Sequence, residues 1–505
     1  MSDNFASPHD RDLDERVRPP GWINPSPAPR YDLVVVGAGT AGLVCAAGAA
    51  GLGARVALVE RHRLGGDCLN HGCVPSKALI RAARAAHDAG NGAPFGVTGC
   101  HGTGVDGAAV MERMRRLRAE IGRHDAAVRF RDLGVHVFFG QGSFISRNAL
   151  EVDGRRLNFV HAAVCTGARA AAPPVPGLAE AGYLTNETIF SLATLPARLA
   201  VIGGGPIGCE LAQAAARLGS SVTVIEAAPE ILPREDTDAA ALVRHALERD
   251  RVSFLTAAAV VGVERRSGAR TLIVRQGDQS HEVTADEILV GAGRTPNIEG
   301  LGLERAGIVA DPLRGVRVND RLRTDNPRVY AAGDICSPYR FTHAADAMAR
   351  IVVANALFGA RQRFSTQIIP WCTYTDPEVA HVGLYEREAG ERGLAVDTLT
   401  VPLTEVDRAL LDGEDEGFAR VHLKRGTDRI VGATIVARHA GEMLNELTLA
   451  MSAGLGLSAI GRSIHPYPTQ AEAIKKLADA WNRTRLTPGV KRLMGIMLTL
   501  RRLWR

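Results

Sequence analysis

The 505-residue chain contains only eight cysteines and no uninterrupted apolar run near the roughly 18 residues that a membrane-crossing helix needs. It also lacks a hydrophobic signal core: its first thirty residues are polar and hold six prolines. Secretion is disfavoured on that ground. Sparse cysteine in so long a chain argues for a reducing compartment, where a disulfide is catalytic rather than a staple, and the expected location is the cytoplasm. A strong charge of one sign is missing too. The formal net charge of +5 demands no nucleic-acid partner. What remains is a globular chain, 46% hydrophobic and too long for one core, for which two to four domains are expected.

Two of the cysteines stand together, in Gly65-Gly66-Asp67-Cys68-Leu69-Asn70-His71-Gly72-Cys73-Val74-Pro75-Ser76-Lys77. Two thiols separated by four residues, with glycines in and before the loop and a lysine four residues beyond, can close into one reducible bridge. The alternatives are a structural zinc half-site or two inert core thiols. Zinc needs four ligands, usually as two short-spaced pairs, and Cys45, Cys100, Cys165, Cys209, Cys336 and Cys372 are scattered singly, so no metal site is expected.

Residues 1–30 end in Asn24-Pro25-Ser26-Pro27-Ala28-Pro29-Arg30, which cannot continue a helix or a central strand, and they read as a flexible arm. From Tyr31 the pattern is a buried strand, then Gly37-Ala38-Gly39-Thr40-Ala41-Gly42 opening an alanine-rich helix, then a strand Ala54 to Val59 ending in Glu60. G-x-G-x-x-G between strand and helix, followed by an acid, fits a dinucleotide site: Gly37, Gly39 and Gly42 admit a pyrophosphate and Glu60 holds ribose hydroxyls. A plain tight turn is the bland alternative.

The device recurs. A strand Leu199 to Ile202 leads into Gly203-Gly204-Gly205-Pro206-Ile207-Gly208, a helix from about Glu210, and a strand Val222 to Ile225 ending in Glu226. Glu60 lies 23 residues after Gly37, and Glu226 lies 23 after Gly203. Two sites suggest two different dinucleotides. Between them, Asp106 to about Arg131 reads as a helix with Val110, Met114, Leu117 and Ile121 as its buried stripe. Later come Val329-Tyr330-Ala331-Ala332-Gly333-Asp334, a strand running into a carboxylate, and a strand-rich third region from about Ser365.

On the redox segment and the two glycine turns, supported by Thr166-Gly167, Gly293-Arg294-Thr295-Pro296-Asn297 and Gly333-Asp334, the chain over roughly residues 30–485 resembles the pyridine nucleotide-disulfide oxidoreductases. Within that family it looks most like the mercuric reductases, then the lipoamide dehydrogenases. The resemblance implies an α/β fold with two Rossmann-like dinucleotide-binding domains and an α+β C-terminal dimerisation domain. The implied boundaries are 31–165 with 296–360 for FAD, 166–295 for NADH or NADPH, 365–485 for the homodimer interface, and 486–505 as a basic apolar tail. By the same resemblance Thr166, Gly167 and Asp334 join the FAD site, with Asp334 on the ribityl chain unless it is only a helix cap. Gly203, Gly205, Gly208 and Glu226 hold the nicotinamide dinucleotide. Lys77 and Glu210 form an ion pair beside the flavin that stabilises the charge developing there, Cys73 lies nearest the flavin, and Cys68 is the interchange thiol. Glu226 is followed by Ala227 and Ala228 rather than by an arginine that would meet a 2′-phosphate, so NADH is favoured.

The acceptor argument turns on His465-Pro466-Tyr467-Pro468-Thr469-Gln470-Ala471-Glu472. Thiol-processing relatives have a histidine before the Pro-Thr and a glutamate five residues after it; here Tyr467 stands in place of the histidine, and Glu472 matches the acid. Tyrosine is a poorer proton acceptor than histidine at neutral pH by roughly 5 kcal/mol. That favours a soft metal ion over a dithiol, unless His465 points the same way and restores the base. Two departures from the mercuric reductases bear on delivery of the ion: no cysteine follows Cys372, and no N-terminal metal-binding module is present. The function read from the sequence is an FAD-dependent NAD(P)H oxidoreductase acting on mercuric ion or another soft, thiol-bound acceptor. The alternatives are a dihydrolipoamide dehydrogenase or small-disulfide reductase, and a membrane-docked electron donor or redox sensor. The last rests on the tail from Lys491 to Arg505, basic and apolar with no acid, which suits an anionic membrane surface or packing across the dimer.

Overall fold

A computed structural model describes residues 7–98 and 104–504; Cys100 lies outside them. The chain divides into two compact units, Met1–Ile231 with Asp250–Gln367, and Leu232–Arg249 with Ile368–Arg505.

Strand Tyr31–Val36 is apolar at every position except Asp32 and buried at all others, as a strand covered on both faces must be. It pairs in parallel with Val56–Glu60 and with Arg155–Val164. His136–Phe139 extends the sheet beyond Val56–Glu60, and Val329–Ala331 pairs with the second half of Arg155–Val164. The first half of that long strand pairs instead with the antiparallel hairpin of Gly142–Ser146 and Ala149–Val152. A second parallel sheet runs in the order Val252–Leu255, Ser221–Ile225, Arg198–Ile202, Glu287–Val290. Each glycine turn launches a helix, Thr40–Gly51 from the first sheet and Pro206–Arg217 from the second. The latter begins at Pro206 rather than near Glu210, because proline at a first helical position has no N–H to leave unpaired. Glu210 therefore sits a full turn inside.

The second unit carries an antiparallel sheet of five strands, in the order Pro370–Thr373, Glu378–Gly383, Ile430–Ala437, Phe418–Lys424, Val396–Pro402. Leu444 and Leu447 of helix Ala440–Ser452, and Ile474 and Leu477 of helix Glu472–Thr484, join its core. Two Rossmann-like sheets and an α+β C-terminal region are thus the architecture. Leu232–Arg249, read from sequence as part of the 166–295 domain, groups with the C-terminal unit. The cause is a buried acid that needs donors. Glu235 accepts from Trp371 Nε1 at 2.9 Å and from the Tyr385 hydroxyl, while Arg420 binds Asp236 and Asp238.

The arm is a correction to the sequence reading. Residues Pro8–Val17 form a helix capped by the Ser7 hydroxyl, and Leu13 and Val17 enter the core of the first sheet. Downstream of it, Asn24 both donates to the Phe139 carbonyl at 2.8 Å and accepts from the Phe139 N–H at 2.7 Å, so one side chain satisfies the backbone of an edge strand that the proline-rich run cannot pair. Helix Asp106 to Arg131 is also corrected. It runs Gly107–Gly122, and its buried face is Met111, Met114, Arg115, Arg118, Ala119 and Gly122, whereas Ile121 is exposed. The two arginines are buried because the arm brings Asp10 to them: Arg118 Nη2 lies 2.6 Å from the Asp10 carboxylate.

Removing one partner of a buried ion pair strands the other charge, so Asp10→Ala should lower unfolding free energy by about 3 kcal/mol and open residues 8–30 to limited proteolysis. An unchanged denaturation midpoint would show that the arm contributes nothing to the folded state.

Candidate active site

The redox segment is positioned by a backbone contact. Gly66 has φ +55°, and a Cβ there would lie 2.5 Å from Gly39 Cα, so the segment abuts the first nucleotide turn only because position 66 is glycine. Cys68 lies in helix Gly66–His71 and Cys73 opens helix Cys73–Gly90, with Gly72 breaking the chain between them. Both are present as thiols, and Cys73 is the more exposed.

The environment separates the two sulfurs. Cys73 is at the N-terminus of an 18-residue helix, where the macrodipole favours an anion. Its thiol is pulled down to about 6, first by the hydrogen bond from Cys68, then by Thr342 and the Lys77 cation, against burial. The Cys68 thiol is pushed well up because it holds the shared proton. Thr342 Oγ1, 3.5 Å from Cys73 Sγ, opens helix Thr342–Phe358 and was not identified from sequence, since nothing local marks a partner so distant in the chain. Lys77 is four residues along the same helix face from Cys73, and its Nζ lies 2.7 Å from Glu210 Oε2. The bland reading of that pair as surface charges does not hold: the Glu210 side chain is 8% exposed.

The two nucleotide turns repeat in atomic detail. Glu60 accepts from the Ala38 and His62 N–H groups, both at 2.7 Å; Glu226 accepts from the Gly204 and Ala228 N–H groups at 2.5 and 2.7 Å. In each turn the third glycine, Gly42 or Gly208, packs on the carbonyl of the first, Gly37 or Gly203, where a Cβ would collide. Neither following helix has a side chain capping its N-terminus, which leaves the N–H groups at Gly39 and Gly205 for an anion.

The residues present fit FAD at the first turn. A shallow, open cleft is lined by Gly37, Glu60, Gln141, Thr166, Asn297 and neighbouring residues. Each Glu60 oxygen accepts one backbone N–H and keeps a lone pair for a ribose hydroxyl. Thr166 and Asn297 brace the wall: Thr166 Oγ1 donates to the Asn297 carbonyl and Asn297 Nδ2 to the Thr166 carbonyl, both at 2.9 Å, and Asn297 N–H donates to the Gly167 carbonyl. Asp334 follows strand Val329–Ala331, and burial pushes its carboxyl up. Arg294, quoted from sequence only as a motif residue, bridges Asp67 of the redox segment at 2.7 Å and Asp334 at 3.6 Å.

In the second unit the acceptor segment does not converge on one point. Tyr467 donates its hydroxyl to Asp407 Oδ2 at 2.8 Å, and that carboxylate raises the tyrosine above its ordinary value. His465 instead meets Glu446 Oε1 through Nε2 at 2.9 Å. Glu472 is 3.5 Å from Lys476, and its Oε2 is buried with no hydrogen-bond partner among the described residues. Asp407 and Glu446 had no signal in the sequence.

The family is decided by comparison with known proteins. Residues 31–349 match the family model for pyridine nucleotide-disulphide oxidoreductases, and residues 369–478 match the dimerisation domain of the same family. The chain belongs to that family. FAD and NAD(P)H are its cofactors, and the matched dimerisation domain indicates a homodimer. Similar relatives include a mercuric reductase of Streptomyces lividans, 34% identical over 89% of this chain and 96% of that protein, and one of Bacillus cereus, 33% identical over 88% and 70%. A dihydrolipoyl dehydrogenase of Thermus scotoductus is 35% identical over 90% and 98%. Among solved structures, the HOCl-induced flavoprotein disulfide reductase RclA of Escherichia coli superposes with a TM-score of 0.79 at 27% identity, covering 89% of this chain and 99% of that one.

If Cys73 is the thiolate beside the flavin, the long-wavelength absorbance of the two-electron-reduced, FAD-loaded protein should titrate with a midpoint near pH 6, present above it and quenched by acid. Cys73→Ala should abolish that band. Lys77→Met removes a neighbouring cation and should move the midpoint up; a band that survives Cys73→Ala would reassign the thiolate.

Proposed function

We propose that the protein carries electrons from NADH through FAD and the Cys73/Cys68 pair to a soft metal ion or a thiol-bound acceptor. Held at the turn of Gly37, Gly39 and Gly42 by Glu60, FAD would supply two-electron chemistry linking a nicotinamide to the Cys68–Cys73 disulfide. Opening that bond to one thiol and one thiolate consumes two electrons and one proton. Cys73 keeps the anion, with Lys77 and the helix N-terminus opposing its charge, and Cys68 keeps a proton and serves as the exchanging thiol. Re-closure returns two electrons and one proton: a divalent soft ion reduced to the element takes the electrons and leaves the proton to solvent, and a disulfide reduced to two thiols takes both together with one further proton from solvent.

The observation that carries the acceptor reading is the Tyr467 hydroxyl donating to Asp407. A phenol that an anion holds above its ordinary range is no base at neutral pH, and thiol-disulfide exchange with a dithiol needs one. Glu472, which would orient a histidine at position 467, stands with an unbonded oxygen. The mercuric reductases among the relatives, and the Cu(II) complex of RclA among the similar structures, support a metal-ion acceptor. A second reading, a small-disulfide reductase, is favoured by the His465–Glu446 contact, which has the form of an oriented base. For the nucleotide, Glu226 clamped over its own turn and flanked by Ala227 and Ala228 supports NADH, because an acid repels a 2′-phosphate.

Steady-state assays with NADH against mercuric thiolate, lipoamide and glutathione disulfide separate the readings. Mercuric turnover should dominate, and Tyr467→His should raise lipoamide turnover about 10²-fold by restoring a base. Lipoamide turnover by the unaltered protein that is lost in His465→Gln would establish the second reading instead. With either acceptor, kcat/KM for NADH should exceed that for NADPH at least about tenfold, and Glu226→Ala should narrow the gap.

A further inference from the structure

The match to the dimerisation domain ends at residue 478, and the chain then forms one more long helix, Pro488–Leu503, whose Thr487 cap accepts from the Val490 N–H. None of its residues is buried. At 100° per residue, Leu493, Met497, Leu500 and Trp504 fall on one stripe, and they are 59%, 62%, 52% and 89% exposed. Val490, Ile496 and Leu503 widen that stripe, Arg492 and Arg501 flank it on either side, and Lys491 and Arg502 lie opposite together with Leu498. From Ala480 to Arg505 the sequence has seven basic residues and no acidic one. The helix is about 24 Å long, short of a hydrocarbon core of about 30 Å, and no helix among the described residues is long and apolar enough to cross a membrane.

We propose that this helix docks the protein on an anionic lipid bilayer, lying in the interface with Leu493, Met497, Leu500 and Trp504 among the acyl chains and its cations at the headgroup phosphates. Charge complementarity selects that occupant: a surface without a single acid, paired with a broad apolar face ending in tryptophan, matches a plane of phosphates over hydrocarbon. The inference stands on this helix alone and does not depend on which acceptor the active site takes.

The test is co-sedimentation of the full-length, FAD-loaded protein with vesicles of mixed phosphatidylglycerol and phosphatidylcholine, against vesicles of phosphatidylcholine alone. Partition onto the anionic vesicles should be at least about tenfold higher and should fall as salt is raised. Replacing Lys491, Arg492 and Arg502 by glutamine should weaken it about fivefold per charge. Glutamate at positions 493, 497 and 500 should abolish it, with NADH oxidation and the dimer mass in ultracentrifugation unchanged. Equal sedimentation with both vesicle types, or none with either, overturns the proposal. So does dissociation of the glutamate variant to monomers, which would make this helix a seam between subunits.

Discussion

The contact between Lys77 and Glu210 is the constraint on which the site depends. Glu210 is one turn inside the helix of the second nucleotide turn, and Lys77 is one turn inside the helix that Cys73 opens. A carboxylate as buried as Glu210 is costly without a counter-charge, so the pair can form only where the two glycine-turn units close on each other. Its formation then fixes a cation on the same helix face as Cys73. One ion pair therefore joins 133 residues of separation and adds a cation to the hydrogen bonds from Cys68 and Thr342 that pull the Cys73 thiol down.

The nucleotide turns are held by a related economy. In each, the acid after the second strand turns back over the glycine loop and takes two backbone N–H groups, one from the loop and one from two residues beyond itself. The loop is thereby shaped by the same side chain that its ligand requires. This explains why the interval of 23 residues is repeated: a different spacing would set the carboxylate out of reach of the loop N–H.

That local closure is also why so much of the site could be read from the sequence. The glycine turns, Glu60, Glu226 and the cysteine pair are specified by neighbours within a few tens of residues, and the structure brings each to the element expected. What escaped was set by distant partners. Arg115 and Arg118 are missing from the stripe read for their helix because the acid that buries them, Asp10, belongs to an arm whose prolines suggested no structure. Thr342, Asp407 and Glu446 are ordinary polar residues until the fold sets them against Cys73, Tyr467 and His465. The segment Leu232–Arg249 follows its acids to the sheet that supplies their donors, against its order in the chain.

The acceptor segment shows what one residue does to such a network. A histidine at position 467 would have two hydrogen-bonding nitrogens, one for Glu472 and one for substrate; a phenol has one proton to give, and here it goes to Asp407. Glu472 is left with a buried oxygen that has no hydrogen-bond partner among the described residues, and His465 is occupied by Glu446. The segment thus retains its acids but has no single base flanked by an orienting carboxylate at position 467. On the proposed electron path Cys68 needs no such base, because the thiol pair closes unaided on an acceptor that already binds sulfur. In the function proposed above, an acceptor that must first surrender a proton is the one disadvantaged, so tyrosine at position 467 narrows the choice of substrate.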